Sequence, residues 1–271
     1  MTSTLTIGFV GCGKMATALA QGFIRANLVA PARLIGSDVA EGARAAFSRA
    51  TGATTTTRNC DVLKAADVAV LAVKPDQVQG VLAEIRDRAT PSHVILSIAA
   101  GVTLARLEGA LPEGTRVVRV MPNALALVGA SATAYTLGQA ARVEDDQLVH
   151  RLFAAVGIAV QVREALLDAV TGLSGSGPAY VFLILEALSD GGVAAGLSRD
   201  VATRLAAQTL LGSAQMFLET GQHPAALRDM VTSPGGTTIE GLYELEKAGV
   251  RAAFMSAVRA ATDKAHRLGQ S

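Results

Sequence analysis

The sequence predicts an α/β protein in two parts, a doubly wound parallel sheet over residues 1–162 and an all-helical stretch over residues 163–271. Short β-rich runs alternate with helical patterns through the first part, which is the signature of βαβ units. The run Val68-Ala-Val-Leu-Ala-Val73 is apolar at every position, as a strand covered on both faces must be. Beyond Val162 the strand patterns stop, and helices punctuated by Gly and Pro fill the rest.

In chain order, strands are expected near 4–10, 33–37, 53–57, 68–73, 93–99 and 115–121, with helices near 13–26, 40–50, 60–65, 76–88 and 103–110 between them. The connections are short, as a doubly wound sheet requires. After Met121-Pro122-Asn123 come a strand near 132–136, a helix near 143–155 and a last strand, Ile158-Ala-Val-Gln-Val162. Six helices follow, near 164–172, 178–196, 198–220, 224–231, 236–247 and 250–268.

The helical half is too apolar to stand alone. Tyr180, Val181, Phe182, Leu183, Ile184 and Leu185 surround much of one helix, so several of its faces must be covered at once. A half this small is expected to take part of that cover from another subunit, a compact monomeric bundle being the alternative.

Composition removes several classes of function. With 24 Lys+Arg against 23 Asp+Glu the net charge is +1, and no basic stripe tracks a phosphate backbone, so no nucleic-acid partner is expected. Cys12 and Cys60 are too few for a disulfide framework, and neither they nor the four histidines show metal-site spacing, so no metal is expected. No apolar run approaches the ~20 residues that span a bilayer. Met1-Thr-Ser-Thr-Leu-Thr-Ile-Gly8 lacks the basic region of a signal peptide. The expectation is a cytoplasmic protein.

The strongest motif of the first half is Gly11-Cys12-Gly13-Lys14-Met15-Ala16, between the first strand and the first helix. In a dinucleotide fold the first glycine makes the tight turn and the second lets the backbone approach the diphosphate. The helix N-terminus then receives its charge. Gly11 and Gly13 fill those places, Ala16 gives close helix–strand packing, and the loop from Gly11 to Met15 becomes the candidate cofactor cradle. The first part is thus expected to be an N-terminal Rossmann-like dinucleotide-binding domain, with NADPH or NADH as cofactor. Cys12 reads as a small filler, since no His or second Cys accompanies it. Asp38 lies about 25 residues past Gly13, where a ribose acceptor belongs, but it equally suits the cap of the next helix. Lys74, in Ala72-Val73-Lys74-Pro75, stands at the carboxyl edge of the sheet, either near the nicotinamide half or simply in solvent.

Two glycine-rich runs in the helical half stand out, Gly172-Leu-Ser-Gly-Ser-Gly-Pro178 and Ser233-Pro-Gly-Gly-Thr-Thr238, each read as a helix N-terminus with exposed donors. Gly235 and Gly236 leave the main chain bare, and Thr237 and Thr238 add hydroxyls, which together make a cradle for a small carboxylate.

The glycine loop, Ala-Val-Lys-Pro at 72–75, Met-Pro-Asn at 121–123, Gly-Ser-Gly-Pro-Ala-Tyr at 175–180 and Ser-Pro-Gly-Gly-Thr-Thr-Ile at 233–239 occur in the order and spacing of pyrroline-5-carboxylate reductases, which this chain resembles over nearly its whole length. The resemblance implies NAD(P)H-dependent reduction of 1-pyrroline-5-carboxylate to L-proline, the last step of proline biosynthesis. It implies an all-α C-terminal dimerisation domain that builds the substrate pocket in a homodimer or a higher homo-oligomer. It also implies that Ser37, Asn59, Ala72, Val73, Lys74 and Pro75 touch the cofactor, and that Ser233, Gly235, Gly236, Thr237 and Thr238 hold the substrate. The chain departs from the family's usual Met-Pro-Asn-Thr-Pro at Ala124 and Leu125, which bears on the loop near the nicotinamide.

Given that substrate, the backbone N–H groups around Gly235 and Gly236 are expected to bind its carboxylate. Thr238 is expected to be the catalytic residue, orienting the ring nitrogen and relaying a solvent proton to it. Other readings are reduction of another cyclic imine, a dinucleotide-binding regulator without chemistry, and a β-hydroxyacid dehydrogenase. The last requires a lysine four residues after Gly177, where this chain has Val181.

Overall fold

The computed structural model describes residues 5–270, leaving out the side chain of Gln270. Residues 1–4, including residue 4 of the first expected strand and the start of the segment read for a signal peptide, lie outside the described residues.

Eight strands form one sheet: β1 (Ile7–Val10), β2 (Leu34–Ser37), β3 (Thr54–Thr56), β4 (Val68–Leu71), β5 (Val94–Ser97), β6 (Arg116–Met121), β7 (Ser131–Leu137) and β8 (Gly157–Gln161). They are ordered β3-β2-β1-β4-β5-β6-β7-β8, and β1 to β6 are parallel. Strand β7 runs antiparallel to β6 because residues 122–130 are too few for a crossover, and β8 is parallel to β7 again. The expected strands are all present.

The helices between them are α1 (Lys14–Arg25), α2 (Glu41–Thr51), α3 (Asn59–Ala65), α4 (Val78–Ile85), α5 (Leu104–Gly109) and α6 (Val143–Ala154). Because strand side chains alternate, each strand feeds two cores. Ile7, Phe9, Val68, Val70, Val94, Leu96, Val118 and Val120 face one side, packed with Phe23 of α1, Phe47 of α2 and Phe153 of α6. Val10, Ala69, Leu71, Ile95 and Val117 face the other, packed with Val62 of α3, Leu82 of α4 and Leu107 of α5. Helix α1 buries Ala16, Leu19, Ala20 and Phe23, the i, i+3, i+4, i+7 stripe of a helix with one covered face.

After β8 the chain forms α7 (Leu167–Val170), a π-helical turn over Thr171–Gly175, then α8 (Gly177–Ala194), α9 (Arg199–Thr220), α10 (Pro224–Met230), α11 (Thr237–Lys247) and α12 (Val250–Gln270). Two compact units result, one of residues up to Ser176 together with those from Arg259 onward, the other Gly177–Val258. Strands end near residue 162, but packing continues to Ser176 for an electrostatic reason. Arg119 of β6 is buried and pairs with Glu164 at 3.1 Å and Asp168 at 3.5 Å. Glu164 also accepts the Leu104 N–H at 2.6 Å, and Asp168 meets His266 Nδ1 at 3.2 Å. A buried arginine must be paired, and its partners lie after the last strand.

In the unit Gly177–Val258, the sole side chain of α8 that is buried is Ser189, while Phe182 is 61% and Leu183 64% exposed. Leu211, Leu218, Tyr243 and Met255 are exposed as well. Among the described residues no helix is long and apolar enough to cross a membrane, and no group of three or more His, Cys, Asp or Glu could hold a metal ion.

Candidate active site

The turn from β1 into α1 shows why its glycines are there. Gly11 sits at φ +97°, a region open to few side chains, and a Cβ on it would lie 2.6 Å from the Ala72 carbonyl oxygen after β4. Its N–H donates to the Ser37 carbonyl at 2.7 Å, and the Ala72 N–H donates to the Val10 carbonyl at 2.7 Å, which seals β1 between β2 and β4. Gly13, the residue before α1, has open space around its missing side chain. The first turn of α1 contains no acidic residue, so Lys14 and Met15 present N–H groups without intrahelical acceptors to an unopposed helix dipole. A diphosphate fits this cradle by charge and by room.

The structure brings the other cofactor candidates of the sheet unit around the same edge. Ser37, fully buried at the end of β2, donates from Oγ to Asn59 Oδ1 at 2.7 Å. Asn59, half-buried at the start of α3, is held by Glu84, whose carboxylate accepts the Asn59 N–H at 3.0 Å and its side-chain amide at 2.7 Å. The Ser37 hydroxyl therefore braces the Asn59 side chain. Glu84 has no signal in the sequence, being an ordinary helix position 25 residues away. Ala72 and Val73 are half-buried, whereas Lys74 and Pro75 are exposed at the start of a short 3-10 turn.

Asp38 is not the cap of α2, because that helix starts at Glu41, too far along the chain for its carboxylate. Its Oδ2 accepts the Cys12 N–H at 2.9 Å and its Oδ1 the Ala40 N–H at 2.9 Å, so it braces the glycine loop while stabilising the approach to α2, whose cap is Ala40. Arg44 donates to the carbonyls of Asp38 and Val39 at 2.7 and 3.1 Å. The Cys12 thiol fills the space above Gly36, where a Cβ would lie 2.7 Å from Sγ. Burial first, then the Asp38 charge, push this thiol up to about 12. It is a filler and not a nucleophile.

At the end of β6, the Asn123 side chain accepts the Leu125 N–H at 3.1 Å and donates to the Ser174 carbonyl at 3.0 Å. The departure at position 125 thus has a local consequence, since a proline there would have no N–H to give. The run from Gly172 was expected as an exposed helix start. It is instead a π-helical turn in which the Ser176 N–H bonds the Thr171 carbonyl at 2.9 Å, and α8 begins at Gly177, one residue before Pro178.

The substrate candidates lie in the unit Gly177–Val258. Ser233 to Gly236 form a turn closed by Gly236 N–H to the Ser233 carbonyl at 3.1 Å. Gly235 sits at φ +65°, and a Cβ on Gly236, the residue that caps α11, would collide with Ser233 Oγ. Glycine is therefore dictated at 235, whereas at 236, with φ −82°, the crowding is with a serine hydroxyl that can rotate away. Thr237 is exposed and Thr238 half-buried in the first turn of α11, which also carries Glu240.

Comparison with known proteins agrees with this arrangement. Residues 164–268 match the family described as pyrroline-5-carboxylate reductase dimerisation, and residues 6–101 match the one described as NADP oxidoreductase coenzyme F420-dependent. Pyrroline-5-carboxylate reductase of Methanosarcina acetivorans is 50% identical over 264 residues, 97% of this chain and 98% of that protein. A solved structure of the pyrroline carboxylate reductase of Plasmodium falciparum with NADP bound is 34% identical at TM-score 0.90, covering 99% and 100% of the two chains. That of Coxiella burnetii is 38% identical at TM-score 0.92 with the same coverage.

Two outcomes are expected of this site. Gly11→Ala forces both a strained φ and a clash with a carbonyl, and should weaken NADPH binding by at least about tenfold in a fluorescence titration. Cys12 carries a thiol whose raised pKa leaves only about one molecule in a hundred as thiolate at pH 10. Iodoacetamide should therefore spare Cys12 in the folded protein at pH 8 and label it in urea, as read by peptide mass spectrometry. By its likeness to these proteins over nearly its whole length, the chain belongs to the pyrroline-5-carboxylate reductase family.

Proposed function

We propose that the chain reduces the C=N bond of 1-pyrroline-5-carboxylate to give L-proline, the closing step of proline biosynthesis, with NADPH or NADH as the donor. The observation that carries this reading is 50% identity to a pyrroline-5-carboxylate reductase across almost the entire length of both chains. The shape of the glycine loop supports it, since Gly11 and Gly13 leave a bare anion cradle at the sheet's carboxyl edge. When bound, the reduced nicotinamide supplies a hydride.

The residues of this chain bind, orient and exclude water. Backbone N–H groups of Gly13, Lys14 and Met15 hold the diphosphate, those of Gly11 and Cys12 being given to the Ser37 carbonyl and to Asp38, and Asn59 and the 72–75 loop flank the rest of the dinucleotide. The Gly236 N–H is spent on the Ser233 carbonyl, so the donors left for the substrate carboxylate are the Gly235 N–H, the N–H groups at the start of α11 and the Thr237 hydroxyl. This contact rests on the helix dipole and must outweigh Glu240 in the same turn. Thr238 hydrogen-bonds the ring nitrogen. A protonated imine is already an acceptor, so the hydride goes to the imine carbon, the C=N π pair becomes the nitrogen lone pair, and the nitrogen keeps its proton. A Thr hydroxyl is a weak acid, so Thr238 orients the ring and relays to the imine nitrogen, before hydride transfer, the solvent proton that makes it an iminium, rather than acting as the acid.

The exposed apolar side chains of α8, α9, α11 and α12 support pairing of two copies through these helices, in keeping with the dimerisation family matched over 164–268. The small net charge and the cysteine usage support a cytoplasmic reductase with a small-molecule substrate and no nucleic-acid partner.

The test is the initial rate of NADPH and NADH oxidation with 1-pyrroline-5-carboxylate, with proline identified chromatographically. Turnover is expected with at least one cofactor, and Thr238→Ala should lower kcat/KM by about 10²-fold, the scale of a lost orienting and proton-relay contact. Wild-type turnover by that variant would remove Thr238 from the mechanism. Failure of the folded, nucleotide-binding protein to oxidise either cofactor would remove the reaction.

A further inference from the structure

The carboxyl ends of β1, β4, β5 and β6 stand side by side on one sheet edge. The glycine loop follows β1, the 72–75 loop follows β4, and Met121-Pro122-Asn123 closes β6. On the proposed reading, on which this inference rests, a dinucleotide whose diphosphate lies on Gly11–Met15 extends its nicotinamide half along that edge toward β5 and β6. The backbone that meets it there is the end of β6, and Asn123 is what fixes that backbone.

Asn123 is only 4% exposed. Its Oδ1 accepts the Leu125 N–H, its Nδ2 donates to the Ser174 carbonyl, and its own N–H donates to Ser131 Oγ at 3.2 Å. Ser131 Oγ in turn lies 3.0 Å from Thr133 Oγ1. One residue thus joins three pieces of the sheet unit, its side chain tying the loop after β6 to the π-helical turn Thr171–Gly175 and its main-chain N–H reaching the start of β7. A second contact closes the same seam, because a Cβ on Gly175 would lie 2.8 Å from Met121 Cε. π-helical turns interrupt regular backbone bonding and recur at functional sites, and this one is pinned against the strand end where the nicotinamide belongs.

We propose that Asn123 is a positioning residue for hydride transfer, setting through its amide the distance between the end of β6 and the π-helical turn, and hence the backbone against which the nicotinamide ring rests. An amide is required because the position must accept from Leu125 and donate to Ser174 at once. A carboxylate of the same shape keeps the acceptor and sets a charge against the Ser174 carbonyl. Misplacing reacting groups by about 1 Å costs up to ~10²-fold in rate.

Asn123→Asp should lower kcat by about 10- to 100-fold. It should also raise the deuterium isotope effect on kcat, measured with NADPH deuterated at the transferred position, because hydride transfer becomes slower relative to release. Affinity for 2′,5′-ADP and ADP, fragments that reach only the diphosphate and ribose end, should stay within about twofold by calorimetry, even though a buried carboxylate against the Ser174 carbonyl lowers Tm. Gly175→Ala, which pushes on Met121 from the other side of the seam, should give the same pattern, and it decides the matter if Asn123→Asp does not fold. Unchanged kcat and isotope effect in the folded variants would overturn the proposal, as would a parallel fall of kcat and fragment affinity, which marks a purely structural role. The wild-type enzyme is the control. If it fails to turn over the pyrroline, the function itself falls, whereas normal wild-type turnover beside unaffected variants removes only Asn123.

Discussion

The close approach of Gly11 to the Ala72 carbonyl is the constraint on which the sheet unit turns. A side chain at 11 would part β1 from β4 at their carboxyl ends, and φ +97° at the same position steers the chain into α1. With that turn in place, Gly13 and the first turn of α1 face outward with N–H groups to spare, and the Gly11 and Ala72 N–H groups bind β2 and β1. Asp38 braces the loop from β2 by taking the Cys12 N–H, and the Cys12 thiol fills the gap over Gly36. An anion site made of backbone needs a rigid backbone, and nearly every side chain around this one serves that rigidity.

The division of labour between the two units follows from the chemistry. Reduction of a protonated imine asks for little beyond orientation, so the protein needs an anion cradle for the dinucleotide, another for the substrate carboxylate, and one hydroxyl near the nitrogen. On the proposed reading the first is the turn after β1 and the second the Ser233–Gly236 turn ahead of α11, with Gly11 and Gly235 where the backbone bends to positive φ. Neither site depends on a strongly shifted catalytic acid. The perturbed thiol at Cys12 is raised by burial and stays neutral.

Much of this was legible in the sequence, and the exceptions have physical causes. Alternation of apolar runs with helical stripes revealed every strand of the sheet, most plainly β4, Val68–Leu71, which is covered on both faces and buried at every position. The glycine loop was legible because its glycines answer to backbone geometry. The direction of β7 was not, since pattern carries no polarity, although the short link from β6 determines it. The run Gly172–Gly177 was misread as an open helix start because glycine signals a break without saying whether the break is a loop or a widened turn. Glu84 and the pairing of Arg119 with Glu164 and Asp168 left no trace, as ordinary charged residues far apart in sequence acquire partners only by folding. The edge of the compact unit, at Ser176 and not at the last strand, follows from that same arginine.

The most direct test of the central claim is where the hydride goes. NADPH or NADH deuterated at the transferred position of the nicotinamide should, with 1-pyrroline-5-carboxylate and this protein, give proline bearing one deuterium at the δ-carbon, the former imine carbon, as read by mass spectrometry and NMR. Cofactor oxidation that leaves no deuterium in proline, or absence of oxidation by folded protein that binds the nucleotide, would contradict the account.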